Sequence, residues 1–277
     1  MIPTLSGVAF LLFLLMNREK LGLNRPLHMQ LLVWLWNVAR PDFDKSFYWA
    51  AGLLFLAAEY RWPARAINRR VHLHWDVASY VVGGIYIQLT ALFFIALLPH
   101  HRPAILGGSH PIVRILVLLL VTDVIAYWSH RLRHTVPFWP IHRWHHAPEH
   151  LYWFSGNRTS AIDYLLLAGP SFLTFWFFSL SPREGMLVVL TYTFLNHWMH
   201  ANVGWGTRWM EWLLVTPRYH HIHHSQVSEY FNTNFGIIFS FWDRIFCTFL
   251  DPDAIVAQYP LGLPCRTREK LRMMGGV

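Results

Sequence analysis

HRLRHTVPFWPIHRWHH, residues 130–146, puts five histidines, His130, His134, His142, His145 and His146, into seventeen residues. Core packing has no use for such a run. If the segment begins as a helix, His130 and His134 stand at i and i+4, one turn apart on one face, where both imidazoles reach a shared ion. His142, His145 and His146 repeat that logic at i, i+3 and i+4, and the same H-x-x-H-H spacing returns at His220, His223 and His224. One H-x-x-x-H pair is common on helices, whereas two H-x-x-H-H boxes beside it point to a metal site. The plainer alternative is interfacial histidines or a soft zinc-chelating tract. It leaves many partly desolvated ring nitrogens without partners.

The composition around this stretch is that of a membrane protein. Hydrophobic residues make up 54% of the 277 and charged residues 14%, against roughly 25% charged in a soluble domain. The mean hydropathy is positive. The net charge of +8 falls in short Arg and Lys clusters between apolar runs. These read as topology signals and lipid-headgroup contacts, not as a nucleic-acid face. Two cysteines, Cys247 and Cys265, form no C-x-x-C and no framework, so histidines carry any metal alone.

The expected fold is all-α: a polytopic membrane helix bundle with a cytoplasmic histidine-rich cap. Residues 1–45 read as an N-terminal anchor or interfacial segment, with an apolar run from Ile2 to Met16, a Trp-rich stretch from Leu27 to Val38 and a break at Pro41. The first run lacks the leading charge and small-residue cleavage site of a signal peptide. Residues 46–277 read as one membrane domain. Ser46–Tyr60 is apolar, and Arg61, Arg65, Arg69 and Arg70 behind it mark a cytoplasmic loop. Val77–Leu98 has the length a bilayer requires, Ile112–Trp128 returns with His130 and His134, Leu165–Leu180 goes out, and Met186–Met199 comes back to His200. Residues 205–277 stay cytoplasmic. Every histidine box then lies at one membrane face.

Nine histidines follow as candidate ligands: His130, His134, His142, His145, His146, His200, His220, His223 and His224. A catalytic zinc uses three protein ligands and a structural one four, so nine supply two metals with open positions. Imidazole suits iron, zinc, copper and nickel alike. Asn196, at i−4 from His200, offers a carbonyl ligand or a hydrogen bond between helices. His197 and His221 are bystanders or outer-layer groups. Because metal-bound imidazoles donate their other N–H to a carboxylate or carbonyl, Asp123, two turns before His130, is the leading expected partner. Glu149, Asp163 and Asp243 are weaker ones.

HRLRH at 130–134, HRWHH at 142–146, HAN at 200–202 and PRYHHIHHS at 217–225 together resemble the fatty acid hydroxylase/sterol desaturase superfamily of integral-membrane di-iron enzymes. The resemblance takes in Asp123, Tyr127 and the NFGIIFSFWDRIF run at 234–246, and covers roughly residues 59–250. The chain departs from it where Thr159, Ser160 and Ala161 follow Arg158 without a His-Pro, and at Asn196, where relatives often carry His or Gln; a sterol-specific assignment does not follow.

The resemblance implies two iron ions held by the nine histidines, with O2 as co-substrate and no catalytic residue beyond the metal ligands. The implied reaction is two-electron attack on a C–H bond of a lipid or other hydrophobic molecule. Hydroxylation is favoured over desaturation because the latter needs a second hydrogen held close to the oxidant. No haem, flavin or ferredoxin motif is present, so electrons come from a separate ferredoxin or cytochrome b5-type donor. The implied location is a bacterial inner membrane or the endoplasmic reticulum. The aromatic stretches Phe172–Phe178 and Trp205–Trp212 are candidate walls of the substrate slot. A histidine-rich haem or metal-transport protein is the non-enzyme alternative. Histidines clustered at helix ends disfavour haem, spans nearly free of ionisable groups disfavour transport, and the lack of H-E-x-x-H disfavours zinc proteolysis.

Overall fold

The computed structural model describes residues 43–98, 105–178, 182–255 and 258–277; the expected anchor at Ile2–Met16 and interfacial stretch at Leu27–Val38 lie outside them. Among the described residues every regular element is helical, and β pairing is confined to isolated bridges such as Pro63 with Val203. The long helices are α1 (Phe43–Arg61), α2 (Leu73–Leu97), α3 (Pro111–Arg133), α5 (Asp163–Phe178) and α6 (Pro182–His200). The short helices are α4 (Trp139–His142), α7 (Pro217–His223), α8 (Phe241–Ile245) and α9 (Thr267–Gly275). Among the described residues two stretches, Leu73–Phe94 and Pro111–Arg133, are long and apolar enough to cross a membrane.

The five long helices form a bundle in which α5 packs between α2 and α3, and α6 packs against α1 and α3. Buried Leu118, Phe175, Val188 and Val189 join α3, α5 and α6, while Ile87, Ala168 and Phe172 join α2 to α5. Each helix is apolar around most of its circumference, the pattern of an element buried on several sides or facing lipid. Polar pins fix their registry. Thr122 and Thr174 share a buried hydrogen bond of 2.9 Å between α3 and α5, and the Arg114 Nε donates to Glu184 at 2.8 Å between the starts of α3 and α6. Pro111 opens α3 where its missing N–H costs nothing, with the His110 ring accepting from the Ile112 amide.

The last described segment folds over the end of the bundle where α3 and α6 finish. Of Arg65 and Arg69, expected as loop charges, Arg65 is tied to this segment, donating to the Tyr259 carbonyl at 2.6 Å, and Arg69 pairs with Glu59 on α1 at 2.9 Å. Glu59, fully buried, also accepts from the amides of Trp153 and Asn202, both at 2.8 Å. One carboxylate thus joins α1 to the loop after the second histidine box and to the end of α6.

Candidate metal centre

Four chain segments deliver the histidines. α3 ends on His130 with His134 as its C-cap, α4 ends on His142 with a turn carrying His145 and His146, and α6 ends on His200. α7 carries His220 and His223, with His224 as its cap. The sequence Thr216-Pro217 starts α7, the Thr216 hydroxyl accepting from the Tyr219 amide and Pro217 occupying the first turn. The structure gathers all nine candidates into two adjoining clusters. His130, His134, His142, His146 and His223 form one, and His145, His200, His220 and His224 the other, with ligand nitrogens in each within 4.8 Å of one another. The rings of His146 and His224 stack across the boundary at 4.4 Å.

Tautomers follow from the outer hydrogen bonds. A carbonyl oxygen only accepts, so a ring nitrogen against it carries the proton and the other nitrogen of a neutral ring is a bare lone pair. His130 Nδ1 donates to the Phe235 carbonyl at 2.9 Å and His223 Nδ1 to the Thr233 carbonyl at 2.8 Å. Their Nε2 atoms then face each other at 3.0 Å with no proton between them. In the second cluster His145 donates to the Arg158 carbonyl and His200 to the Asn196 carbonyl, and their Nε2 atoms lie 3.4 Å apart. Further buried ring nitrogens have no partner: Nε2 of His134, His142 and His146, and Nδ1 of His220 and His224. Burial, the leading cause, holds His134, His142, His145, His146, His220 and His224 well below the usual imidazole range and His223 at about 4, so the rings are neutral. Converging, unprotonated lone pairs in a dry site are a donor set that fits a bound cation.

The expected role of Asp123 is corrected. It touches no imidazole: its two oxygens accept from the Ile238 and Phe239 amides at 3.0 and 2.9 Å and from Trp242 Nε1 at 3.0 Å. A carboxylate that deep does need partners, and they belong to the loop whose Thr233 and Phe235 carbonyls hold His223 and His130. Asp243 clamps the same loop through the amides of Phe235 and Gly236, both at 2.7 Å. The direct carboxylate partner is Asp163. It accepts from His142 Nδ1 at 2.9 Å and from Arg133 at 3.0 Å. As the first residue of a helix, Asp163 looks in sequence like an ordinary end residue, which hides this role. Glu149 lies 3.7 Å from His72, outside both clusters.

His197 and His221 fall outside the clusters. His197 stacks on Trp153 at 5.0 Å and donates to the Thr193 carbonyl, and His221 bonds the carbonyls of His200 and Ala201. Asn196 turns its backbone carbonyl to His200 and lines the adjoining cavity. Sequence reasoning missed Gly156. A Cβ there would lie 2.6 Å from both Cγ and Nδ1 of His200, so only glycine admits that ring.

A cavity of about 180 Å³ opens from the clusters into the bundle between α3, α5 and α6, reaching Phe175, Val188 and Val189. On α6 it spans His200 back to Val188, about 18 Å along the axis. Of the aromatic stretches expected to line it, Phe175 does. Phe172 instead packs on Phe94, and Trp205 packs at a tilt against Trp198 and Trp62.

Residues 115–248, which hold most of α3, the histidine boxes and the loop clamped by Asp123, match the fatty acid hydroxylase family, and the chain resembles that superfamily. It is similar to an alkylglycerol monooxygenase of Xenopus tropicalis, 27% identical over 56% of this chain and 34% of the relative. It also resembles an ornithine lipid hydroxylase of Rhizobium tropici, 28% identical over 61% of this chain and 54% of the relative. A human lathosterol oxidase is 26% identical over 54% of this chain and 49% of the relative. The chain thus spans about a third to a half of the length of these curated relatives. No solved structure matches it.

Proposed function

We propose that the protein is a membrane-bound, O2-dependent di-iron oxidoreductase that hydroxylates a C–H bond of a lipid or other hydrophobic molecule. The observation that carries this reading is the pair of clusters of neutral histidines, with unprotonated Nε2 atoms facing each other at 3.0 and 3.4 Å, at the mouth of an apolar cavity. Imidazole alone does not choose the metal. Iron is supported by the family and by relatives named monooxygenase, hydroxylase and oxidase.

His130, His134, His142, His146 and His223 would hold one ion, and His145, His200, His220 and His224 the other. When bound, the pair of irons supplies activation of O2 with two electrons, for a balance of R–H, O2, two electrons and two protons giving R–OH and water. The residues of this chain do the rest. Backbone carbonyls of Phe235, Thr233, Arg158 and Asn196 fix four ring tautomers, and Asp163 fixes His142 in the same manner. The cavity takes the hydrocarbon part of the substrate, excludes water and brings one carbon to its histidine end. Electrons come from a separate ferredoxin or cytochrome b5-type partner. α1, α2, α3, α5 and α6 form a multi-pass membrane domain with its histidine-rich cap on the cytoplasmic side.

The test is expression with an electron donor and mass-spectrometric comparison of lipid extracts. A product 16 mass units heavier than its precursor, dependent on His145 and His223, is expected; about 2 units lost without oxygenation would replace hydroxylation by desaturation. Purified protein holding one tight zinc and no iron under iron-replete expression would overturn the di-iron reading.

A further inference from the structure

None of Trp205, Trp209 and Trp212 lines the cavity, so the aromatic stretch they belong to has its use elsewhere. A short chain of contacts fixes where it lies. The Ser240 amide donates to the Leu213 carbonyl at 3.1 Å and the Val215 amide to the Ile238 carbonyl at 2.9 Å, which ties residues 213–215 to residues 238–240. That partner strip is held against α3, where Asp123 accepts from the Ile238 and Phe239 amides and the Trp242 indole. From there α8 runs beside α3 toward its end: Phe246 packs on Tyr127 and Trp128 at 5.1 and 4.8 Å, and its carbonyl accepts from Arg131. The two segments thus lie along the flank of the bundle and not beyond its end. Asp123 stands ten residues before Arg133, which is about 15 Å back along α3, and five before Trp128, about 7.5 Å.

Trp128 has the character of a membrane-boundary residue, its half-exposed indole lying under the Arg131 guanidinium at 5.2 Å. Deeper on α3, Leu116 and Leu120 are exposed, as on a helix facing lipid. At the depth of Asp123 the outer side of the flanking segments is apolar as well. Trp212, Leu213 and Ile245 are 60, 53 and 59% exposed, and Trp209 more so. An adjoining apolar group of this kind marks a contact surface. Basic groups stand within it: Arg208 is exposed beside Trp209, and the Arg244 guanidinium lies 4.4 Å over the Trp212 ring while donating to the Glu211 carbonyl.

We propose that Trp209–Leu213 and Phe241–Ile245 form a wedge immersed in the adjacent membrane leaflet, with bilayer lipid as its partner. Continuity with the exposed apolar face of α3 and the pairing of aromatic with basic side chains single out lipid as the occupant. Leu213 and Ile245 enter the acyl region, Trp209 and Trp212 sit at headgroup level, and Arg208 and Arg244 reach headgroup phosphates. A depth of about 7.5 Å falls within the roughly 5–10 Å to which interfacial elements sink. The inference rests on α3 crossing the membrane, and on neither the metal nor the reaction. Its consequence reaches the histidines, because the Thr233 and Phe235 carbonyls that hold His223 and His130 belong to the loop that leads into this wedge.

The test reconstitutes the full, unmodified chain in nanodiscs of phosphatidylcholine and phosphatidylglycerol that include a phosphatidylcholine with a diazirine in its acyl chain. After illumination, lipid adducts are mapped by mass spectrometry. Adducts are expected within residues 209–213 and 241–245 as well as at Leu116 and Leu120, and none at 135–137, where Val136 is 89% exposed beyond the end of α3. If α3 is labelled and either segment is not, the proposal is overturned; if α3 is not labelled either, the membrane reading beneath it falls too. A second measurement places single cysteines at the exposed positions Leu213, Ile245 and Val136, with Cys247 and Cys265 replaced by serine, and applies a charged maleimide to nanodiscs open on both faces. Val136→Cys reacts, whereas Leu213→Cys and Ile245→Cys lose the reaction until denaturing detergent strips the lipid. Reaction of either at the Val136→Cys rate in intact nanodiscs overturns the immersion.

Discussion

Gly156→Ala isolates one half of the proposed metal centre. The added Cβ would sit 2.6 Å from Cγ and Nδ1 of His200 and 3.1 Å from its Cβ. Ordinary van der Waals contact begins near 3.4 Å, so the ring must retreat by about 0.8 Å, several times the ~0.2 Å tolerance of a metal–ligand distance. His200 cannot retreat along its own bond, because Nδ1 is held by the Asn196 carbonyl at 2.8 Å and Nε2 already faces His220 at 3.1 Å. Crowding of this kind costs about 1–3 kcal/mol of stability. The larger effect falls on the ion shared with His145, His220 and His224, whose affinity should drop at least the ten- to hundredfold typical of losing an outer-layer support. Metal analysis of the purified variant should give about one iron per chain, retained by the His130 cluster, and little or no product. Gly108→Ala, where nothing lies within 4 Å of the added carbon, is the matched control and should keep both ions. Two irons per chain and normal turnover in Gly156→Ala would refute the assignment of His200 as a ligand.

The same division gives further outcomes. His223→Ala should empty the five-histidine cluster and His145→Ala the four-histidine one, each leaving membrane insertion intact, as read by metal content in membrane-extracted protein. Asp163→Asn removes the carboxylate on His142 Nδ1 and should weaken that ion's binding ten- to hundredfold, measured by chelator competition. Asp123→Asn should act more mildly on metal while speeding hydrogen exchange at the Ile238 and Phe239 amides it holds; unchanged exchange there would contradict the clamp. In metal-free protein His223 has its folded pKa depressed to about 4 by burial. The unfolded chain takes up the proton first, so stability is full above about pH 6.5 and declines as pH falls toward 4. Thermal melts at pH 7 and pH 5 should show this decline, and metal should suppress it.

How far the sequence discloses this centre depends on the kind of interaction. The helices were legible because apolar run length is a local property: expected spans at Val77–Leu98 and Ile112–Trp128 correspond to α2 and α3, and the Leu165–Leu180 and Met186–Met199 segments to α5 and α6. Eight of the nine candidate histidines were legible because spacing at i, i+3 and i+4 is local too; His200 belongs to no such box. Their partition was not. Each H-x-x-H-H box is divided, with His142 and His146 in one cluster and His145 in the other, and His223 in the first while His220 and His224 join the second. On α7, His220 and His223 even stack at 5.4 Å and still serve different clusters. Helical spacing puts two rings on one face; which lone pairs converge depends on where the other chain segments arrive.

That distinction also explains Asp123. Its depth in an apolar helix correctly demanded a partner, but seven residues of separation from His130 carried no information about what would lie beside it. The loop at 233–239 fills that place, and through it Asp123 acts on the histidines at one remove: carboxylate to the Ile238 and Phe239 amides, then along the backbone to the Phe235 and Thr233 carbonyls that fix His130 and His223. Asn234, held at positive φ with its side chain bonded to the Leu250 amide, and Asp243 on the Phe235 and Gly236 amides set the same two carbonyls from the other side. An imidazole ligand is only as well aimed as the acceptor on its far nitrogen. In this chain most of those acceptors are backbone oxygens in irregular loops, so the residues that aim the two histidine clusters are the ones shaping loops, and they carry no ligand-like signature in sequence.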